Sequence, residues 1–185
     1  MSRTNSTMAP LGASAPDFSL PDTVSGKTVS LDSVRSKTAT VVMFICNHCP
    51  YVKHVQAGLV AIAKDYMPKG VSFVAISSND AAQYPDDSPE KMKIEAEQAG
   101  YPFPYLYDES QQVARAYDAA CTPDFFVYDS SLHLAYRGQF DDSRRNSDIP
   151  VTGRDLRYAL DALLSGKPVP AEQLPSLGCN IKWKG

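Results

Sequence analysis

The sequence predicts an α/β fold, a mixed central sheet with helices on both faces and an N-terminal β-hairpin extension. Three patterns carry this. Ala39 to Ile45 and Val71 to Ser77 are continuous apolar runs with the length of strands covered on both faces. Between them Val52, Val55, Leu59, Ile62, Ala63 and Tyr66 recur every three or four residues, the core-facing stripe of a helix. Further on, two apolar stretches flank a polar turn and a last amphipathic helix follows. A β-α-β unit, then a hairpin, then a helix builds one mixed sheet between two helical layers.

The elements follow in order. Pro16 to Leu20 and Lys27 to Leu31 are short apolar stretches around turn residues and form the hairpin. Ala39 to Ile45 lacks the alternation of a half-exposed strand. Pro50 falls in the first turn of the helix that runs from Tyr51 to Tyr66, where a missing N–H costs little. Gly70 precedes the second buried strand. The polar loop Asn79 to Asp87 and the helix after it read as an insertion. Ser88-Pro89-Glu90 supplies a cap, a first-position proline and an acid, and opens a helix reaching Gly100. Pro102 and Pro104 break the chain before Tyr105 to Tyr107, a short edge strand. Gln111 to Ala120 reads as helical. Phe125 to Tyr128 and Leu132 to Phe140 flank Asp129-Ser130-Ser131 as a hairpin, and Asp141 to Pro150 is a polar loop. Thr152-Gly153-Arg154-Asp155 resembles a capping box. The helix it opens carries Leu156, Leu160, Leu163 and Leu164 on one face and stops at Gly166. A proline-containing tail ends in Gly178-Cys179-Asn180-Ile181-Lys182-Trp183.

At 185 residues the chain has the length of one domain with room for a core. Its expected organisation is a flexible N-terminus at 1–12, the domain at 13–166, and a tail at 167–185 packing on that domain. A net charge of -3 argues against nucleic-acid binding, which needs a basic excess to neutralise phosphates. No apolar run approaches the roughly 20 residues of a membrane span. Met1 to Ser14 lacks the apolar segment of a secretory signal, so the expected location is cytoplasmic. Four cysteines are too few for a disulfide scaffold at this length, and in a cytosolic protein a C-x-x-C is redox-active or metal-binding.

That pair is Cys46-Asn47-His48-Cys49, placed between the first buried strand and its helix. A helix N-terminus offers unpaired N–H groups and partial positive charge, which favour thiolate, the reactive form of cysteine. His48 lies between the thiols; a protonated imidazole there would favour the Cys46 thiolate and make the disulfide more oxidising. His54 and His133 read as surface residues. Asp141 and Asp142 end a strand and read as part of a solvated loop rather than as a cation site.

The element order with C-x-x-C after the first core strand resembles the thioredoxin fold, a three-layer sandwich. Ala15-Pro16-Asp17-Phe18-Ser19-Leu20 and Gly26-Lys27-Thr28-Val29 resemble the opening of its peroxiredoxin-like and TlpA-like branch, the alkyl hydroperoxide reductase and thiol-specific antioxidant family. Thr122-Pro123-Asp124-Phe125-Phe126-Val127 resembles that fold's cis-proline loop and following strand. The likeness extends from Ala13 to Leu164 and is nearest to members carrying C-N-H-C-P.

The resemblance implies roles. Cys46 is the attacking and more exposed thiol, and Cys49, one turn along, resolves the mixed disulfide. Pro123 is the cis-proline, and the Thr122 backbone can pair with an extended substrate strand. Cys121 belongs to a loop that faces the pair, either as an accessory thiol or as a small buried side chain. Apart from the resemblance, Cys179 in the proline-containing tail resolves an intermediate, packs or is free; packing is the favoured reading, with Trp183 anchoring the tail. The expected activity is thiol–disulfide exchange with a protein or small-molecule thiol or disulfide, an unidentified electron donor, and no cofactor.

Two other readings use the same residues. Cys49-Pro50 can be laid on the peroxiredoxin pattern T-x-x-C-P, which makes Cys49 the peroxidatic thiol of a peroxidase. Cys46 then replaces the threonine, and the hydroxyl that helps hold peroxide is missing. A carrier of Cu(I) or Zn would instead use Cys46, Cys49 and Cys121, with His48 or His54 as fourth ligand.

Overall fold

A computed structural model describes residues 3–185. In chain order it contains β1 (Arg3–Asn5), β2 (Ser19–Pro21), β3 (Thr28–Ser30), α1 (Leu31–Val34), β4 (Ala39–Phe44), α2 (Pro50–Tyr66) and β5 (Val71–Ser77). There follow α3 (Pro89–Ala99), β6 (Tyr105–Tyr107), α4 (Gln112–Ala116), β7 (Cys121–Thr122), β8 (Asp124–Asp129), β9 (Leu134–Gly138), α5 (Arg154–Leu164) and β10 (Leu177–Asn180). Among the described residues no helix is long and apolar enough to cross a membrane.

The central sheet has the order β6-β5-β4-β8-β9. β4 runs parallel to β5 and β5 to β6, while β8 is antiparallel to both β4 and β9, so the sheet is mixed. Every residue of β4 is buried, as its unbroken apolarity requires. The pleat divides its side chains between two cores. Val41 and Met43 pack with Leu59 and Ile62 of α2, Met92 of α3 and Leu156 of α5. Val42 and Phe44 pack with Leu20 of the β2–β3 hairpin, Leu31 of α1, and Val113 and Tyr117 around α4. This is the three-layer thioredoxin-like sandwich with its N-terminal hairpin. The hairpin also covers the edge of β6: Thr23 N–H donates to the Tyr105 carbonyl at 3.0 Å, and Tyr105 N–H to Asp22 Oδ1 at 3.1 Å.

Three expectations are corrected. The helix expected over Gln111 to Ala120 spans only Gln112–Ala116. Gln111 and Asp118 at its two ends have positive φ, and the Gln111 side chain instead reaches the carbonyls of Ser78 and Lys182 at 2.6 and 2.8 Å. The capping box expected at Thr152 does not form, because the residue before α5 is Gly153 at φ 66 and offers no capping side chain. The buried Asp141 takes its place, its Oδ2 accepting from the N–H groups of Thr152 and Gly153 at 2.7 and 2.6 Å and its Oδ1 from Ser143 at 2.9 Å. Asp141 is thus a structural cap rather than part of a solvated loop. The N-terminal segment contains β1. Its backbone groups are satisfied by β10 in the register Arg3↔Cys179, Thr4↔Gly178, Asn5↔Leu177.

β10 in turn pairs antiparallel with β7, Cys179↔Thr122 and Asn180↔Cys121, giving a second sheet of order β1-β10-β7. Beyond β10 the tail is tied down by Lys182, whose N–H donates to Asn79 Oδ1 at 2.8 Å and whose carbonyl accepts from Asp80 N–H at 2.9 Å. Trp183 packs against the second core with the Arg115 guanidinium 4.4 Å from its ring centre.

Replacing Asp141 by alanine removes the acceptor for three backbone N–H groups and uncaps α5. A loss of about 2 kcal/mol is expected, read as a lower urea midpoint at unchanged slope. A variant as stable as the parent would show that the cap contributes nothing.

Candidate active site

β4 delivers the chain into the site. Ile45 N–H still donates to the Ile76 carbonyl at 3.0 Å, prolonging the β4–β5 ladder by one residue. Cys46 follows, Asn47 and His48 form a bend, and Cys49 is the residue from which α2 starts, with Pro50 at its first position. Both cysteines are buried, Cys46 at 2% and Cys49 at 0% exposure.

The Thr122–Pro123 peptide bond is cis. Thr122 faces both sulfurs: its Oγ1 lies 3.4 Å from Cys46 Sγ, and its carbonyl oxygen 3.1 Å from Cys49 Sγ. The side chains of the two C-x-x-C thiols and the cis-proline loop are therefore in direct contact.

The two thiols share a proton unequally. Cys49 is brought down to about 4, chiefly because the Cys46 thiol donates a hydrogen bond to it; burial opposes this, and Thr122, the Cys179 thiol and the Val52 N–H reinforce it. Cys46 is pushed up by the same bond to Cys49, by its burial, and by the nearby Asp87 carboxylate. A protonated Cys49 would donate to the Thr122 carbonyl. That bond holds the proton on Cys49, against the pull of the Cys46 and Cys179 contacts, which lower its pKa. The directions of these two shifts differ from the sequence-based expectation that Cys46 is the attacking thiol.

The third sulfur belongs to Cys179 on β10, not to Cys121. The Cys179 thiol donates to Cys49 and is itself pushed up to about 12, by burial and then by that contact. The Cys121 Sγ instead donates to the Pro123 carbonyl at 3.6 Å, and burial raises its pKa strongly.

Asp87 completes the centre. It comes from a 3-10 turn, Pro85–Asp87, and is fully buried. Oδ1 accepts from the N–H groups of Asn47 and His48 at 2.8 and 3.3 Å; Oδ2 accepts from Asn79 Nδ2 at 2.8 Å and lies 2.5 Å from His48 Nδ1. The bend's backbone donors are thus aimed at Asp87, and the carboxylate, not a thiolate at Cys46, takes their charge. The His48 ring stacks on Tyr84 at 5.7 Å, and Tyr105 Oη donates to Asn47 Oδ1 at 3.0 Å. Asp87 and Tyr105 escaped the sequence reading. Asp87 stands just before the Ser88-Pro89 helix start, where an acid is unremarkable, and 38 residues of chain separate it from Cys49.

A metal would find Cys46, His48 and Asp87, whose ligand atoms lie within 4.8 Å of one another. Both Asp87 oxygens already accept N–H donors, so this donor set is committed to holding the bend. Cys121 is outside it, and His54 Nε2 lies 3.0 Å from Ser143 Oγ. The donor set expected from sequence for Cu(I) or Zn is not assembled.

The fold is shared with known proteins. The sequence profile of the AhpC/TSA family matches residues 11–137. An uncharacterized conserved protein from Geobacillus kaustophilus is 65% identical, with 100% of this chain and 97% of that one aligned at a TM-score of 0.98. A hypothetical protein from Sinorhizobium meliloti 1021 is 48% identical over 98% of this chain and 99% of its own, with a TM-score of 0.96. Peroxidoxin BcpB from Mycobacterium tuberculosis shares the fold at 21% identity and a TM-score of 0.62, over 84% of this chain and 96% of that one. No curated protein matches. Cysteine-based redox chemistry on a thioredoxin-like scaffold is the activity of this site, and the chain belongs to the AhpC/TSA family.

Proposed function

We propose that the protein is a thiol peroxidase in which Cys49 is the peroxidatic thiol and Cys179 the resolving one. One observation carries the reading: the Cys49 sulfur is in contact with two other thiols, Cys46 and Cys179, and both contacts lower its pKa. Pro50 after it completes the Cys-Pro of the peroxiredoxin pattern. Cys46 occupies the pattern's threonine position and supplies an S–H donor where that residue has a hydroxyl.

The Cys49 thiolate attacks one oxygen of a hydroperoxide. The O–O bond breaks, the sulfur becomes a sulfenic acid, and the leaving alkoxide or hydroxide takes a proton. The Cys179 thiol then attacks that sulfur; an S–S bond forms and water leaves with the Cys179 proton. An external thiol reductant returns two electrons by exchange and is itself oxidised to a disulfide. A reducing compartment such as the cytosol supplies such a reductant. Cys49 is fully covered, so peroxide reaches it through local opening of the bend or of β10. Asp87 keeps Cys46 protonated and hence a donor, and His48 holds Asp87 in place.

A second reading has its own support. The Cys46–Cys49 contact and the cis Thr122–Pro123 bond fit a dithiol oxidoreductase with Cys46 attacking. The raised pKa of Cys46 counts against it.

Three variants separate the readings. Cys49→Ser should lose peroxide turnover by at least ~100-fold, as loss of a nucleophile does, whereas Cys46→Thr should stay within about tenfold of the parent. Mass mapping after one equivalent of peroxide should find Cys49 joined to Cys179, and Cys179→Ser should accumulate the sulfenic acid. A dominant Cys46–Cys49 bond, with turnover lost in Cys46→Thr, would favour the oxidoreductase.

The thiolate itself is measurable. Reduced protein should show the ultraviolet absorbance of one thiolate at neutral pH, lost on acidification through about pH 4 and absent in Cys49→Ser. The sign follows from the direction of the shift: a pKa below the ordinary cysteine value makes the thiolate form present above about pH 4. Asp87→Asn removes the charge that raises Cys46, so a second thiolate should appear at lower pH than in the parent. An unchanged titration would exclude Asp87 from setting the polarity.

A further inference from the structure

The residue before a cis-proline was expected to pair its backbone with an extended substrate strand. In this chain that pairing is taken. β10 lies antiparallel to β7 with Cys179 opposite Thr122, and β1 covers the other edge of β10. The fit is close. A Cβ on Gly178 would fall 1.9 Å from the Thr122 carbonyl oxygen and 2.5 Å from its carbon, so any larger residue pushes the strand off the loop. Ser176 Oγ donates to the Pro123 carbonyl at 2.6 Å, and Ile181 N–H to the Ala120 carbonyl at 3.2 Å, so the strand is fastened on both sides of the Cys179 register.

A polypeptide that binds by strand addition needs a free sheet edge. The β7 edge beside the sulfurs is filled by the chain's own tail, which brings a cysteine with it. We propose that β10 is the specificity element of this site: it fills the strand position beside Thr122, presents Cys179 as a built-in partner thiol to Cys49, and confines external substrates to small oxidants, hydroperoxides and low-mass disulfides. The inference rests on the assignment of Cys49 as the reacting thiol.

Disulfide reduction is the probe, because it can be run with small and large substrates of the same chemistry. The Cys49 thiolate attacks one sulfur of the substrate and forms a mixed disulfide, releasing a first thiolate that takes a proton. A second thiol of the site attacks the Cys49 sulfur, an internal disulfide forms, and the second substrate thiol leaves. Two protein thiols are oxidised and one disulfide is reduced.

The reduced full-length protein is assayed with hydroxyethyl disulfide and with insulin. The parent should reduce the small disulfide at least ~tenfold faster than insulin, a gap of about 1.4 kcal/mol in the barrier. Gly178→Val, which lifts β10 from the loop, should raise the insulin rate and close most of that gap. Ser176→Ala, which loosens the strand without inserting bulk, should narrow it about threefold, on the order of one lost hydrogen bond. Near-ultraviolet circular dichroism reports whether Gly178→Val folds, and Ser176→Ala decides where it does not. Equal parental rates, or a gap unchanged in the variants, would overturn the filter. Oxidation of Cys49 by hydrogen peroxide is followed in parallel. Its absence alongside an intact gap would overturn the peroxidase and leave the filter standing, and the opposite pair of results would do the reverse.

Discussion

One proton shared between Cys46 and Cys49, at the point where β4 hands over to α2, organises the rest of the molecule. The Cys46 and Cys179 contacts, with Thr122 and the first turn of α2, lower the Cys49 pKa against its burial. Each donor comes from a different part of the chain. β4 positions Cys46, the cis-proline loop positions Thr122, and the tail positions Cys179. A thiolate this deeply buried is held only where such donors replace the water it has lost. The central sheet and the small β1-β10-β7 sheet both converge on that requirement.

Asp87 adds to the asymmetry, raising the Cys46 pKa after the Cys49 contact and burial. Its oxygens accept the N–H groups of Asn47 and His48, donors that would otherwise be free to stabilise a thiolate at Cys46. The segment supplying Asp87 is the polar loop that reads in sequence as an insertion. It is an inserted segment with a site role, since Asn79 from the same loop both steadies Asp87 and receives the Lys182 N–H of the tail. The tail and the loop are therefore coupled through one asparagine, and both reach the sulfurs.

The scaffold was legible because its signals are local. Ala39–Phe44 and Val71–Ser77 are apolar enough to require burial on both faces, and α2 shows its stripe at every turn. Ser88 and Pro89 start α3 where a cap and a first-position proline require. Misreadings arose where a local pattern competed with a distant partner. Gln111 has a helical neighbourhood, yet its side chain is drawn to Ser78 and Lys182. Thr152 sits where a capping box is expected, yet Asp141 from the preceding loop caps the helix. In both cases a buried amide or carboxylate gains more from distant backbone groups than the local motif offers.

The order of residues alone was enough to specify an α/β sandwich, a reactive C-x-x-C at a strand-to-helix junction, and the proline loop opposite it, because periodicity, capping and motif spacing act over a few residues. Which third cysteine joins the pair and what occupies the edge beside Thr122 were decided by tertiary structure. Cys121 is close to the loop in sequence but turns to the Pro123 carbonyl, while Cys179, 130 residues after Cys49, is carried to it by the pairing of β10 with β7. Proton sharing depends on sulfur-to-sulfur contact and on buried charge, and neither is encoded by spacing along the chain.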